Sequence, residues 1–314
     1  MKFEESEKKF IHEKRSVNNS ATTIITYKSH INGFIEYLRS EGYEDTEEVD
    51  LRECYYNYLG DLPEIKDVKD VTVASYARTL KAWLRWMSDT KITEIKGKLE
   101  IPKYQLTIRQ TYSEDDMRKL LKRPQNGCSE VEYITWVMVN IFSATGMRLG
   151  TLRVMKVKDY SPSSLELSLN TTKNRLPVHY GIQKELGVIL NSYIMRNNLT
   201  SDMYLFATGY NSPYAGRTIQ DYIADYSRKR GVNIERRVHA FRHTFAKNYY
   251  ERTHDVYKLQ HILGHKQLSM TQRYLESVGC NLNGRIEYNP QEEFMDQEEE
   301  VPMRHRKKIY FEDE

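Results

Sequence analysis

The two stretches that indicate the fold and function most strongly are HAFRHTFA at residues 239–246 and LQHILGHKQLSMTQRYL at residues 259–275. The first places His239 and Arg242 three residues apart, which puts both side chains on one face of a helix. The second places Tyr274 nine residues after His265. Neither is decisive alone, because such a pair usually lies on a helix surface and the chain contains 24 tyrosines.

Two weaker clusters precede them in the chain. ATGMRLGTL at residues 144–152 holds Arg148 just after a glycine that is expected to end a helix. TTKNRLPV at residues 171–178 places Lys173 at the tip of a predicted hairpin. An isolated arginine or hairpin lysine is most often a surface residue, so these clusters gain meaning only when they are combined with the first two.

Together the six side chains suit phosphoryl transfer that needs no metal ion. Arginine forks bind phosphate oxygens bidentately and stay charged. A positioned tyrosine can form a covalent phosphoenzyme, and histidine and lysine can exchange protons with the nucleophile and the leaving oxygen. Motifs for nucleotide or zinc binding, such as GxxxxGK[ST], GxGxxG, paired CxxC and HExxH, are missing from the sequence. The sequence therefore predicts neither a cofactor nor a metal site.

Composition is typical of a globular protein with two domains. The chain has 314 residues, of which 39% are hydrophobic and 29% charged. The sequence contains no run of about 18 apolar residues and no secretory signal, which predicts a protein without a membrane segment. The three cysteines are widely spaced, as expected in the reducing cytoplasm.

Charge is distributed unevenly along the chain. Residues 1–104 carry a net charge of −2, residues 105–284 carry +10 and residues 285–314 carry −5. A basic segment between two acidic ones is expected to bind a polyanion, although a solvated basic surface would have the same composition.

Hydrophobic periodicity predicts a mostly α-helical protein with a small β-hairpin. Apolar residues recur at helical spacing over residues 22–40 and 73–87, and a capping box at Ser113 and Asp116 opens a second helical region. Residues 165–180 alternate as a hairpin, and helices are predicted near 131–144, 182–196, 217–229, 239–252, 255–263 and from Ser269. The predicted organisation is a polar, loosely ordered segment (1–19), a helical domain (20–95), a linker (96–111), a mixed α+β catalytic domain (112–284) and an acidic tail (285–314).

The four clusters, in their order and spacing, resemble those of the tyrosine recombinases, the family of phage integrases and Xer-type resolvases. The likeness covers about residues 113–278. It implies that Arg148 and Arg242 clamp the scissile phosphate and that His265 hydrogen-bonds it. It further implies that Lys173 protonates the departing 5′ oxygen. Tyr274 would then become joined to the 3′ phosphate, and His239 would accept the proton of Tyr274.

The resemblance also implies the fold and the partners. A helical core-binding domain and the catalytic domain would form a two-domain clamp on double-stranded DNA with specific core sites. The protein would be a monomer free in solution and a homo-tetramer in the synaptic complex, with accessory DNA-bending proteins allowed. It would work in the cytoplasm, associated with the nucleoid.

Several positions depart from the family pattern. Thr151 stands where an acid is usual, and Ala240 and Phe241 replace the usual Asp and Leu. Arg175 is a second candidate for the role of Lys173. The helical pattern starts by about Thr22, so no additional arm-binding domain is expected.

The biological task stays open at this point. Integration or excision of a mobile element is favoured, with dimer resolution or transposition by the same chemistry as alternatives. A type IB topoisomerase-like enzyme and a DNA-binding protein without catalytic activity are the rival functions. The acidic tail is expected to dock on a neighbouring subunit, to fold over the basic DNA surface and inhibit binding, or to stay solvated and inert.

Overall fold

A computed structural model of the chain describes residues 1–46, 49–105, 108–169, 177–235 and 237–282. Its contacts divide the chain into two compact units, Met1–Leu106 and Thr107–Glu314. Among the described residues, no helix combines the length and the apolar character needed to cross a membrane. Lys173, Arg175 and the tail 285–314 lie outside the described residues.

The first unit is built from four helices. They are α1 (Phe3–Ser16), α2 (Ala21–Ser40), α3 (Leu51–Lys66) and α4 (Asp70–Asp89). Side-chain caps fix two of the starts, because Ser20 accepts a hydrogen bond from the backbone of Thr23 and Asp50 accepts from the backbone of Arg52. The apolar stripes predicted over 22–40 and 73–87 form the shared core, in which Phe34 and Trp83 are fully buried.

The prediction of a loosely ordered segment at residues 1–19 is wrong, because α1 occupies most of it. Phe3 and Phe10 are fully buried, and α1 packs against α2 and α4. The side chain of Glu13 accepts a hydrogen bond from Trp86 at 2.5 Å. Apolar residues two turns apart in a charged sequence give a weak periodic signal, although they are enough to hold a helix onto an existing core.

The first residues of the predicted linker 96–111 do not form a linker in the structure. Leu99 is buried in the core of the first unit. The hydroxyl of Tyr55 donates to the carbonyl of Glu100 at 2.7 Å, and the amine of Lys81 donates to the carbonyl of Leu99. Residues 98–100 are therefore part of the packing of the first unit.

In the second unit, helices surround α6. The helices are α5 (Glu114–Leu121), α6 (Glu130–Thr145), α7 (Leu149–Arg153), α8 (Lys184–Arg196), α9 (Gly216–Lys229), α10 (Arg237–Thr253), α11 (Val256–Leu263) and α12 (Leu268–Ser277). Helix α6 packs against α5, α8, α9 and α10, which explains why it is apolar on nearly all sides. The predicted capping box is confirmed, since Ser113 and Asp116 each bond the other's backbone.

A three-stranded antiparallel sheet completes the second unit. Its strands are β1 (Tyr160–Ser161), β2 (Glu166–Leu169) and β3 (Val178–Gly181), in the order β1-β2-β3. Leu167 pairs with Tyr180 and Leu169 with Val178, so the predicted hairpin is confirmed as β2 and β3. The two residues of β1 are too few to give an alternating pattern, and sequence analysis did not predict them. The mostly α-helical fold with a small sheet is as expected.

Helices α10, α11 and α12 share a small core of their own. It contains seven buried residues, namely Ala246, Tyr250, Leu259, Leu263, Leu275, Val278 and Cys280, and Tyr274 packs against it. The two motifs that opened the sequence analysis therefore fold together. This small core fixes the position of α12 relative to α10.

Candidate active site

Two arginines converge on the end of α11. Arg242, on α10, donates to the carbonyl of Leu263 at 2.7 Å and to that of Gly146 at 2.9 Å. Arg148, just before α7, donates to the same carbonyl of Leu263 at 3.3 Å. The last carbonyls of a helix carry partial negative charge, so they hold guanidinium groups well. One oxygen atom thus brings two positive charges together.

The chain keeps these charges close at some electrostatic cost. Burial and the neighbouring Arg148 lower the pKa of Arg242 to about 10, which still leaves it charged at neutral pH. Between residues that the structure describes, no ion pair joins either guanidinium to a carboxylate. A pair of arginines arranged in this way can bind the oxygens of an anion, and a phosphodiester has the matching geometry.

Glycine at position 146 allows Arg242 its second backbone contact. Gly146 ends α6 in the left-handed conformation, with φ of 60°. A Cβ atom at this position would lie 2.5 Å from the ring of Phe245, which is closer than such atoms come in proteins. The helix-stopping glycine predicted before Arg148 is confirmed, and the absence of a side chain lets α10 approach the turn.

His265 lies beside the arginines. Arg242 donates toward its Nε2 atom at 3.3 Å, and its Nδ1 atom lies 2.9 Å from the hydroxyl of Thr271. Burial, Arg242 and Arg148 lower the pKa of His265 to about 4. The ring is therefore neutral at neutral pH, with Nε2 accepting and Nδ1 carrying the proton.

The hydroxyl of Tyr274, on α12, is the centre of the cluster. It lies 2.6 Å from the Nδ1 atom of His243, and the guanidinium carbon of Arg242 lies 6.0 Å from the centroid of its ring. The guanidinium of Arg109 covers the tyrosine ring at 5.3 Å from its centroid. Burial raises the pKa of Tyr274, while Arg242, Arg109 and Arg148 act in the opposite direction. The phenol thus stays protonated in the free protein, with positive charge ready to stabilise its anion.

The structure brings together four of the six predicted residues, Arg148, Arg242, His265 and Tyr274. His239 lies in the first turn of α10 and is exposed. Lys173 is outside the described residues, on the connection between β2 and β3. Their predicted roles stay predictions.

His265 should make folding stability depend on pH. Its pKa is about 4 in the folded chain and near 6.5 when unfolded, so the unfolded chain binds the extra proton between these values. The stability that depends on neutral His265 is present above about pH 6.5 and is lost as pH falls toward about 4. We expect His265→Asn to reduce this loss, measured as melting temperature against pH for both proteins. Parallel curves would contradict the assignment.

The comparison with protein families agrees with this geometry. The sequence profile described as the Phage integrase family matches residues 110–278, which is more than half of the chain. The chain belongs to this family.

Individual relatives are similar to this chain over most of its length. It is 25% identical to the tyrosine recombinase XerA of Pyrococcus furiosus over 272 residues, covering 85% of this chain and 88% of the relative. It is 27% identical to the tyrosine recombinase XerC of Leptospira interrogans over 281 residues, covering 86% of this chain and 88% of the relative. The resemblance to tyrosine recombinases predicted from the four clusters is confirmed.

Solved structures show the same fold in other tyrosine recombinases. A Tn1549 transposon integrase in complex with transposon right-end DNA has a TM-score of 0.69 and 14% identity, covering 87% of this chain and 94% of that chain. A lambda integrase dimer bound to a COC′ core site has a TM-score of 0.66 and 18% identity, covering 92% of this chain and 98% of that chain.

Two residues of this family member's site were not predicted from the sequence. His243 directly follows Arg242 in HAFRHTFA, yet only the packing of α10 against α12 brings it to the tyrosine hydroxyl. Arg109 lies in the predicted linker, and its backbone amide donates to the carbonyl of Ser277 at 2.7 Å. Thr151, which stands in place of the usual acid, is buried in α7.

Proposed function

We propose that this chain cuts and rejoins double-stranded DNA at specific sites through a covalent link between Tyr274 and the 3′ phosphate. The observation that carries the proposal is the position of the Tyr274 hydroxyl. It bonds His243, and it lies beside Arg242 and Arg148, which share the carbonyl of Leu263. A nucleophile beside two anion-binding forks is the arrangement that phosphoryl transfer needs.

Double-stranded DNA as the substrate has two supports. The net charge of +10 over residues 105–284 suits the phosphate backbone. Tyrosine recombinases of similar fold have been solved with DNA, among them the lambda integrase dimer on its core site. A polyanion bound over the site would present its phosphates to Arg148 and Arg242.

The reaction then follows from the side chains. The two guanidiniums bind the non-bridging oxygens of the scissile phosphate in exchange for part of their bonding to Leu263 and Gly146, and His265 supports the same phosphate. The hydroxyl of Tyr274 gives its proton to a histidine, the role that the resemblance assigns to His239, and its oxygen attacks phosphorus. The bond to the 5′ oxygen breaks, and Lys173 gives that oxygen a proton. Attack by a 5′-hydroxyl on the phosphotyrosyl link reverses these changes. The bond energy is retained, so neither ATP nor a metal ion is required.

The proposal includes an assembly and a biological task. Strand exchange between two sites requires four subunits, so we expect a monomer in solution and a homo-tetramer on paired core sites, with accessory DNA-bending proteins as additional partners. The task would be the integration or excision of a mobile element, carried out in the cytoplasm on nucleoid DNA. Direct repeats flanking the gene would support this task, and their absence would favour resolution of chromosome dimers.

A covalent-capture experiment tests the function. Duplexes with a randomised core and a nick in one strand are incubated with the protein, so that a cut near the nick releases a short fragment and traps the adduct. DNA that stays attached to denatured protein is sequenced to give a defined substrate. Peptide mass spectrometry should find the nucleotide on Tyr274, and two intact captured sites should be joined to each other. Cutting without joining would instead indicate a topoisomerase-like activity.

The same assay tests whether a metal ion is needed. Among the described residues, no group of three or more His, Cys, Asp and Glu side chains is arranged to hold a metal ion. Adduct formation should be equal with EDTA and with added magnesium. Loss of the adduct in EDTA, restored by adding magnesium back, would contradict the proposed mechanism.

The role of Lys173 can be separated from DNA binding. If Lys173 protonates the 5′ oxygen, Lys173→Ala should slow cleavage of ordinary DNA by about 10² to 10⁴. Replacing the bridging 5′ oxygen by sulfur gives a leaving group that needs no proton, so cleavage by the variant should recover on this substrate. Rates are compared in single-turnover assays, with Arg175→Ala as the matched variant. Equal impairment of Lys173→Ala on both substrates would assign the lysine to binding.

A further inference from the structure

The contact between His243 and Tyr274 indicates a function for a residue that the six predicted residues leave out. The two side chains meet at 2.6 Å between Nδ1 and the hydroxyl oxygen, and their ring centroids are 5.4 Å apart. His243 is buried, with 8% of its surface exposed. A buried imidazole this close to a reacting hydroxyl can exchange its proton.

The surroundings of the hydroxyl indicate which atom donates. The positive charge of Arg242 is near Tyr274, and a guanidinium has only donors, so it offers the hydroxyl hydrogen no acceptor. The Nδ1 atom of His243, at 2.6 Å, is the acceptor to which the hydroxyl hydrogen can be directed. This arrangement requires His243 to carry its proton on Nε2 and to present Nδ1 as an acceptor.

The reaction also needs a base near Tyr274. Burial is the largest influence on the pKa of Tyr274 and raises it, so little of the tyrosine is ionised at neutral pH. His265 is poorly suited to accept the proton, because its pKa is about 4 and its Nε2 atom already accepts from Arg242. His239 is exposed in the first turn of α10, four residues before His243.

We propose that His243 is a catalytic residue whose Nδ1 atom accepts the proton of Tyr274 as the tyrosine attacks DNA. The O–H bond of Tyr274 breaks, its proton passes to His243, and the oxygen forms the bond to phosphorus while the 5′ oxygen leaves with a proton from Lys173. During rejoining, His243 returns the proton to the departing tyrosine, so the protons balance over a full cycle. This inference rests on the proposed phosphotyrosyl chemistry.

Two substitutions distinguish proton acceptance from positioning. The side-chain oxygen of asparagine can occupy the place of the imidazole Nδ1 atom and accept a hydrogen bond, but it takes no proton near neutral pH. His243→Asn therefore keeps the tyrosine in place and removes the base. His243→Gly leaves a space that added imidazole can enter. The matched control is His254→Asn, at the far end of α10, where the residue is exposed and has φ of 51°, a conformation that asparagine tolerates.

The measurement is the single-turnover rate of adduct formation between about pH 6 and pH 9. The substrate is a nicked duplex that carries the site identified by covalent capture, and it is called the suicide substrate. Several charged or titratable groups lie around the pair, namely Arg109, Arg148, Tyr180, Arg242 and His265. His265, with a pKa of about 4, and Arg242, with a pKa of about 10, keep one protonation state over most of this interval. Changes in the profile therefore report on the base.

We expect His243→Asn to react about 10² to 10⁴ times more slowly than the wild type at neutral pH. Its rate should rise about tenfold per pH unit, since the tyrosine must then ionise without a base, whereas the wild-type rate levels off. Imidazole should accelerate His243→Gly and leave His243→Asn unchanged. Equal binding of the intact captured site and equal melting temperatures would show that the variants fold, and His254→Asn should match the wild type.

Other outcomes would overturn the inference. A His243→Asn rate within about threefold of the wild type would show that no proton transfer depends on this residue. A slow His243→Asn with the wild-type pH profile would reduce His243 to a positioning residue. A tenfold rise per pH unit in His239→Asn but not in His243→Asn would make His239 the base. Failure of the wild type itself to form an adduct with any captured site would instead refute the proposed function.

Discussion

Tyr274→Phe is expected to bind its DNA site with unchanged affinity and to form no covalent adduct. The substitution removes only the hydroxyl, so the ring keeps its contacts with Arg109 and His265. It also takes the hydroxyl away from the buried Nδ1 atom of His243, so the folded state should lose about 1 to 3 kcal/mol of stability. Adduct formation is followed by denaturing gel electrophoresis of labelled suicide substrate, and binding by gel shift on the intact site.

Tyr250→Phe is the matched control for this variant. Tyr250 is a buried tyrosine of the same small core, and it lies on α10. Its variant should form the adduct at the wild-type rate. An adduct that persists in Tyr274→Phe would mean that another side chain is the nucleophile, and the role proposed for His243 would have to be abandoned with it.

Arg242→Met is expected to slow adduct formation by at least about 10³ while changing stability little. The loss of rate follows because a single preorganised donor to a developing charge is worth about 10² to 10³ in rate, and Arg242 supplies more than one. Methionine has a similar length and no charge. The rate is measured as before, and stability is measured by denaturant unfolding.

Two opposing effects make the stability change small. Losing the hydrogen bonds to the carbonyls of Gly146 and Leu263 costs about 1 to 3 kcal/mol for each acceptor left without a partner. Arg148 still donates to Leu263, which limits that loss. Removing a buried charge relieves about 3 kcal/mol, because the fold lowers the pKa of Arg242 from 12.5 to about 10. Unfolding of the variant at physiological temperature would contradict this balance and would make Arg242 chiefly structural.

The parts of the site that sequence could predict are those encoded locally. The spacing of His239 and Arg242, the glycine before Arg148 and the separation of His265 from Tyr274 all lie within short stretches. The capping box at Ser113 was predictable for the same reason, since its bonds join residues three apart.

What sequence analysis missed depends on contacts between distant segments. His243 reaches Tyr274 across 31 residues, and Arg109 reaches it from the other end of the second unit. Helix α1 was missed because only the packing against α2 and α4 shows that its few apolar residues are core residues. The sequence pattern of one segment does not specify which other segment its residues will contact.

Gly146 also limits how this chain can vary. Its carbonyl holds Arg242, its φ is 60°, and a Cβ atom would lie 2.5 Å from the ring of Phe245. Position 146 has no side chain to contribute to the reaction, yet a saturation library selected for recombination should tolerate almost nothing there. Genetic selection would therefore group this glycine with the arginines and the tyrosine, although its contribution is the empty space that lets two helices come close. A smaller residue at 245 should rescue replacements at 146 only in part, because the left-handed backbone conformation stays strained for other residues.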